Sequence, residues 1–145
     1  MYEWDTDEYR VDQRRQYEAI ATVFPGLATK RFECNAGWFS IIREFFLVVR
    51  QVIPVGREDA FDLRQVKEKF GNLCIYYRTA DDLPDAVKIE LSKAYRAAEA
   101  SAVRTCEVCG APGVLRVRGG WYATRCDDHA DGGVPVPPLS KEKTR

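Results

Sequence analysis

The chain has 145 residues, with 22 Lys plus Arg against 22 Asp plus Glu and one histidine, for a formal net charge of zero. That balance excludes a global basic field drawing it onto nucleic acid or an anionic membrane, and leaves only local patches to do so. The length suits a single domain, and hydrophobic residues make up 46%, enough for a core that needs no disulfides.

The chain opens on Met1-Tyr2-Glu3-Trp4-Asp5, acidic and aromatic, without the apolar run of a secretion signal. The longest apolar stretch carries Arg43, Glu44 and Arg50, too much charge for a membrane span. Five cysteines are an odd count for a secreted disulfide framework, so the expectation is a reduced, cytoplasmic protein. Residues 6–24 read as a helix. Thr6 or Asp7 caps its start and Glu8 favours the positive end of its dipole. Tyr9, Val11, Tyr17, Ile20, Val23 and Phe24 form a partial apolar stripe, Arg14, Arg15 and Glu18 face water, and Pro25-Gly26 ends the element.

Residues 27–36 are irregular or hold a short strand at Phe32. From Trp38 to Ile53 eleven of the sixteen residues are apolar, which predicts a helix buried on most sides, with Arg43, Glu44, Arg50 and Gln51 as its polar edge. Pro54 and Gly56 stop it. Gly37-Trp38 reads as the start of this helix with a core tryptophan.

Residues 57–79 allow two readings. Leu63, Val66 and Phe70 recur at helical spacing, whereas Gly71-Asn72 signals a two-residue hairpin turn followed by the strand-like run Leu73-Cys74-Ile75-Tyr76-Tyr77. The hairpin is preferred. A turn at Gly71-Asn72 pairs Phe70 with Leu73, Glu68 with Ile75 and Val66 with Tyr77, and puts Phe70 on the core face. Tyr76 and Tyr77 then point to opposite faces. The next helix runs to about Val103, capped by Asp81 or Asp82, with Leu83, Val87, Leu91, Tyr95, Ala98 and Ala102 as its apolar stripe.

That helix leads straight into Cys106-Glu107-Val108-Cys109, and after sixteen intervening residues comes Cys126-Asp127-Asp128-His129. Two pairs of this kind are the spacing of one four-coordinate structural zinc site, with Cys106, Cys109, Cys126 and His129 as ligands. Gly110 suits the tight knuckle after the first pair. A redox dithiol at Cys106 and Cys109 is the alternative. Between the pairs, residues 114–118 and 121–125 alternate as strands around a Gly119-Gly120 turn, in the order of a treble-clef-like unit. From Asp131 on, glycines, prolines and a Lys/Glu-rich end read as a disordered tail.

Four donors of this type close the coordination shell, so a catalytic zinc is not expected. His129 is the sole histidine, and as a ligand it leaves no imidazole for acid–base work. Asp127 and Asp128 are solvated turn residues or acceptors supporting the ligands. Arg116, Arg118 and Arg125, with Trp121 and Tyr122, form a local basic and aromatic surface, the best candidate for nucleic-acid contact; the bland alternative is an ordinary hairpin face. Lys67 and Lys69 mark a recognition edge or simply guard an edge strand. Cys34 and Cys74 read as buried thiols.

Three blocks together resemble a family of small proteins of bacteria, prophages and phages: Gly37-Trp38-Phe39, the run from Gln65 to Leu73, and Thr105 through Gly120-Trp121 to His129. The resemblance implies a zinc-bound fold and a mobile-element setting, and it implies no activity. The whole is expected to be an α+β protein with three main helices, a β-hairpin and a C-terminal treble-clef-like zinc hairpin unit. Residues 1–104 would form the body, 105–131 a zinc unit docked on it, and 132–145 the tail. The expected role is non-enzymatic: a module binding a host or phage protein through one structural Zn2+, with a nucleic-acid-binding zinc protein as the alternative.

Overall fold

The computed structural model describes residues 2–137. Helix α1 (Asp7–Val23) starts where Thr6 Oγ1 accepts the Tyr9 N–H at 3.1 Å and closes on Phe24, one residue before Pro25. A two-residue strand, β1 (Phe32–Glu33), follows, and then a 3₁₀ turn (Ala36–Trp38) leads into α2 (Phe39–Val52). Phe39, Ile42, Phe45, Phe46 and Val49 of α2 are buried, while Ser40, Arg43, Glu44, Arg50 and Gln51 face solvent. Each full burial is worth roughly 1.5–3 kcal/mol, which makes α2 the main contributor to the core. Phe32 packs edge-on against Phe39 and lies nearly parallel to Phe46, with centroids 5.1 and 6.1 Å away, tying β1 to α2.

Strands β2 (Phe61–Lys69) and β3 (Asn72–Thr79) form the expected hairpin, and β1 joins β2 in parallel, giving the order β1-β2-β3. Its turn differs by one residue from expectation. Lys69 faces Asn72, so Phe70 and Gly71 are the turn, with φ of 52° and 82°. A mirror-image type I turn needs positive φ at both positions and favours glycine at the second, which Gly71 fills here. Glu68 therefore pairs with Leu73 and Val66 with Ile75, and an irregularity at Arg64 restores Leu63 opposite Tyr77. Val66, Leu73 and Ile75 stay in the core, but Phe70 is displaced from it and is 73% exposed.

Helix α3 (Asp85–Ala102) packs against α2 and β3. Neither Asp81 nor Asp82 caps it: Pro84 holds the capping position, and Asp82 instead takes the Arg57 guanidinium at 2.9 and 3.3 Å. Its expected stripe is the packed one, with Leu83, Leu91, Ala98 and Ala102 buried and Val87 and Tyr95 lying against them. Beyond it, β4 (Val114–Arg118) and β5 (Trp121–Arg125) form a second hairpin around Gly119-Gly120.

The tail expected from Gly132 instead begins with a strand. β6 (Val134–Pro135) pairs with β4, completing a second sheet in the order β5-β4-β6, and Val136 N–H donates to Leu115 O at 2.8 Å. Strand pairing gives backbone groups at 134–136 the partners that composition alone hides. The rest of the expected tail, 138–145, lies outside the described residues. The class is α+β: among the described residues, three α-helices, a β-hairpin and a C-terminal hairpin unit bearing three cysteines and a histidine. Among the described residues no helix is long and apolar enough to cross a membrane.

Candidate metal centre

The ligand atoms of Cys106, Cys109, Cys126 and His129 lie within 4.8 Å of one another. Cys109 Sγ is 3.7 Å from Cys126 Sγ, and His129 Nδ1 is 3.7 Å from Cys106 Sγ and 3.3 Å from Cys126 Sγ. An ion bonded tetrahedrally at about 2.3 Å to sulfur and about 2.0–2.1 Å to nitrogen sets donor separations of about 3.6–3.8 Å. Two of these separations match and the 3.3 Å one is about 0.3 Å short, so the cluster can hold a four-coordinate ion, with His129 offering Nδ1. A redox dithiol would give Cys126 and His129 no reason to converge on the same point.

Local hydrogen bonds shape both ligand loops. In the first, Cys106 N–H donates to Ala111 O at 2.7 Å and Gly110 N–H to Cys106 O at 2.9 Å, with Gly110 at φ 82°. In the second, a 3₁₀ turn (Asp127–His129) folds His129 back, its N–H donating to Cys126 O at 3.2 Å.

The first loop is seated on the body through Gly37 and Glu107. Gly37 N–H donates to Glu107 O at 2.7 Å, and a Cβ at position 37 would overlap the carbonyls of Cys106 and Glu107. Glu107 is buried; its Oε2 accepts the Asn35 N–H at 2.9 Å, and its own N–H donates to Thr124 O at 3.0 Å. Burial raises its carboxyl above the usual range, opposed by the Asn35 hydrogen bond. Trp38 is fully buried, the core residue the sequence suggested, and its Nε1–H reaches Thr105 O at 2.9 Å, immediately before the first ligand. Tyr9 adds a link from α1, its hydroxyl donating to Val108 O at 2.7 Å.

The expected basic surface is largely turned inward. Arg116 and Arg118 do share a sheet face with Trp121 and Arg125, by the register Arg116↔Ala123 and Arg118↔Trp121. Yet Arg116 is only 8% exposed and Arg125 only 7%. Arg116 donates to Arg125 O, Gly133 O and Asp127 Oδ1 at 3.0, 3.2 and 2.7 Å. Arg125 donates to His129 O at 3.2 Å and Asp131 Oδ2 at 2.7 Å, and Arg118 to Asp131 O at 2.8 Å. All three guanidiniums therefore brace the loop that carries Cys126 and His129. A planar multi-donor cation suits this, because one side chain can satisfy several loop carbonyls at once.

The N-terminal residues close over this brace. The rings of Tyr2 and Trp4 lie 5.4 and 5.2 Å from Arg125 Cζ, and Trp4 Nε1–H donates to Asp131 Oδ2 at 3.0 Å. The Trp4 ring also meets His129 edge-on at 6.3 Å. Trp4, Tyr9, Gly37, Glu107 and Asp131 are supports that spacing did not reveal. Apart from the Arg125–Asp131 pair, their partners are remote in the chain, and only the acidic and aromatic N-terminus stood out as unusual.

The other singled-out residues lie apart from the ligands. Trp121 is 71% exposed and Tyr122 40% exposed, and Lys67 and Lys69 alternate along β2. Cys34 is buried, and burial pushes its thiol well up; Cys74 is half-buried. Tyr76 faces solvent and Tyr77 packs on the core, one on each face. No protein-family model matches the chain, and no curated protein or solved structure matches it either.

Proposed function

We propose that the protein is a non-enzymatic binding module held together by one structural Zn2+, and that its partner is a protein. A set of three sulfurs and one nitrogen, all within 4.8 Å of one another, is typical of zinc among the common metals. With all four positions filled by side chains, zinc would keep no water to activate. A reducing cytoplasm, where thiols stay free, is the compartment this chemistry needs.

The observation that carries the choice of partner is the division of labour on the second hairpin. Its guanidiniums at Arg116 and Arg125 are occupied within the loop, while the rings of Trp121 and Tyr122 stay in solvent. Nucleic-acid recognition needs the reverse, with free cations along a phosphate path. The mobile-element setting implied by the resemblance makes a host machine or a host defence protein the natural target.

Affinity purification of the zinc-loaded protein tests this, with wild type compared to a triple variant carrying alanine at Lys67, Trp121 and Tyr122. A specific protein recovered with wild type and lost with the zinc-replete variant supports the reading. Nucleic acid in the eluate, bound with steep salt dependence in gel-shift titrations, would establish the alternative instead.

A further inference from the structure

On the second sheet Tyr122 pairs with Val117, and Val117 with Val134, so the three side chains share one face across all three strands. Leu115 and Thr124 continue that face. There Thr124 Oγ1 donates to Gly71 O at 2.6 Å, and a Cβ at position 71 would meet Leu115 Cδ1. The Phe70-Gly71 turn of the body hairpin is therefore seated on the same face. Val134 is 59% exposed and Tyr122 40%, so exposed apolar side chains stand both on this face and, at Phe70, on the turn seated against it.

Phe70 is the informative member. A left-handed backbone costs a bulky L-residue about 1–2 kcal/mol, and glycine or asparagine would make the turn more cheaply. Lys69 Nζ lies 5.9 Å from the Phe70 ring centroid, and the ring's exposure means it adds little to the core. Strain spent on an exposed ring points outward, to contact with another molecule.

We infer that the face formed by Phe70, Val117, Tyr122 and Val134 docks a protein segment bearing an apolar anchor flanked by carboxylates. This rests on the protein-binding reading above and names the chemistry of that partner. Lys67 and Lys69 flank the turn on one side of β2, and neither is in an ion pair among the described residues. The nearby carboxylate of Glu68 is turned back onto the Gly71 N–H at 2.7 Å. Glu33 stands opposite Lys67 in register with its carboxylate accepting from Gln65 Nε2 at 3.2 Å, so the cation nearest the apolar face is Lys69, beside Phe70. The chain's own residues 138–145 carry Lys141, Lys143 and Arg145 against Glu142, so charge disfavours them as the occupant. A second copy would bring like charges together.

The test screens arrayed short peptides of varied sequence against the zinc-loaded protein, its F70N variant and a K67E/K69E double variant. Wild type should select peptides with an aromatic or aliphatic residue between acidic ones. F70N should weaken these by about tenfold or more, the scale of losing a central anchor, and K67E/K69E should shift selection towards basic flanks. Chelation should also abolish binding, because Val117, Tyr122 and Val134 ride on the metal-bearing hairpin. Peptides bound equally by wild type and F70N would move the docking site elsewhere and leave the protein-binding reading standing. No selection by wild type would sink both. A wild-type dimer in sedimentation that F70N dissolves would make a second copy the occupant and overturn the inference.

Discussion

Replacing Gly37 with alanine tests how the ligand loop is joined to the body. The new Cβ would overlap the carbonyls of Cys106 and Glu107, which are backbone and cannot rotate aside. The loop must move, and the 2.7 Å bond from Gly37 N–H to Glu107 O goes with it. Overpacking of this kind costs about 1–3 kcal/mol, and a buried donor left unpaired about 1–3 kcal/mol more. The expected loss is therefore about 3 kcal/mol. With a urea slope of about 2 kcal/mol/M, the unfolding midpoint should fall by about 1.5 M. Gly26, with nothing within 4 Å of its virtual Cβ and an ordinary φ, is the control, and Gly26→Ala should be neutral or slightly stabilising. The assay is urea unfolding of both variants with metal content measured in parallel. A Gly37→Ala protein that unfolds with wild type and keeps its metal would refute the reasoning.

Phe70→Asn should raise stability, since asparagine tolerates the left-handed backbone and the lost ring is exposed; a gain of about 1 kcal/mol would lift Tm by about 3 °C in a thermal melt, and a drop would show that the ring supports the fold. Asp131→Ala removes the acceptor shared by Arg125 and Trp4, so metal affinity in chelator competition should weaken by about 10–100-fold, while unchanged affinity would make that brace irrelevant to the site. Burial pushes the Tyr95 phenol up to about 12, above its unfolded value of about 10. Its contribution to stability is complete below about pH 10 and is lost as pH rises through about 12. Absorbance titration should accordingly show a late phenolate step that Tyr95→Phe removes; the same curve in wild type and variant would contradict it.

Those parts of the molecule written in neighbouring residues were legible in the sequence. Thr6 caps α1, the Leu83-to-Ala102 stripe faces the core, and Gly119-Gly120 turns the second hairpin, each through contacts only a few positions apart. The cluster of Cys106, Cys109, Cys126 and His129 was legible for the same reason, because each pair sits on one short loop. What escaped depends on partners far along the chain. Trp4 and Asp131 are 127 residues apart, and nothing local marks either as a support of the site. Arg116 and Arg125 looked like surface charges because alternation on a strand says which face a side chain takes, not whether a later loop covers that face. The sequence places this turn one residue late because Gly71-Asn72 is itself a valid hairpin pair with glycine first, whereas the chain turns at Phe70-Gly71 with positive φ at both positions and glycine second.

X-ray absorption at the zinc edge, with elemental analysis of freshly purified protein, bears most directly on the ion as the fastening of the C-terminal hairpin. One zinc per chain is expected, bonded to three sulfurs at about 2.3 Å and one nitrogen at about 2.0–2.1 Å. Serine at Cys126 should lose the ion and the ordered hairpin together. Protein that is folded but free of stoichiometric metal, or zinc held mainly by oxygen, would contradict it.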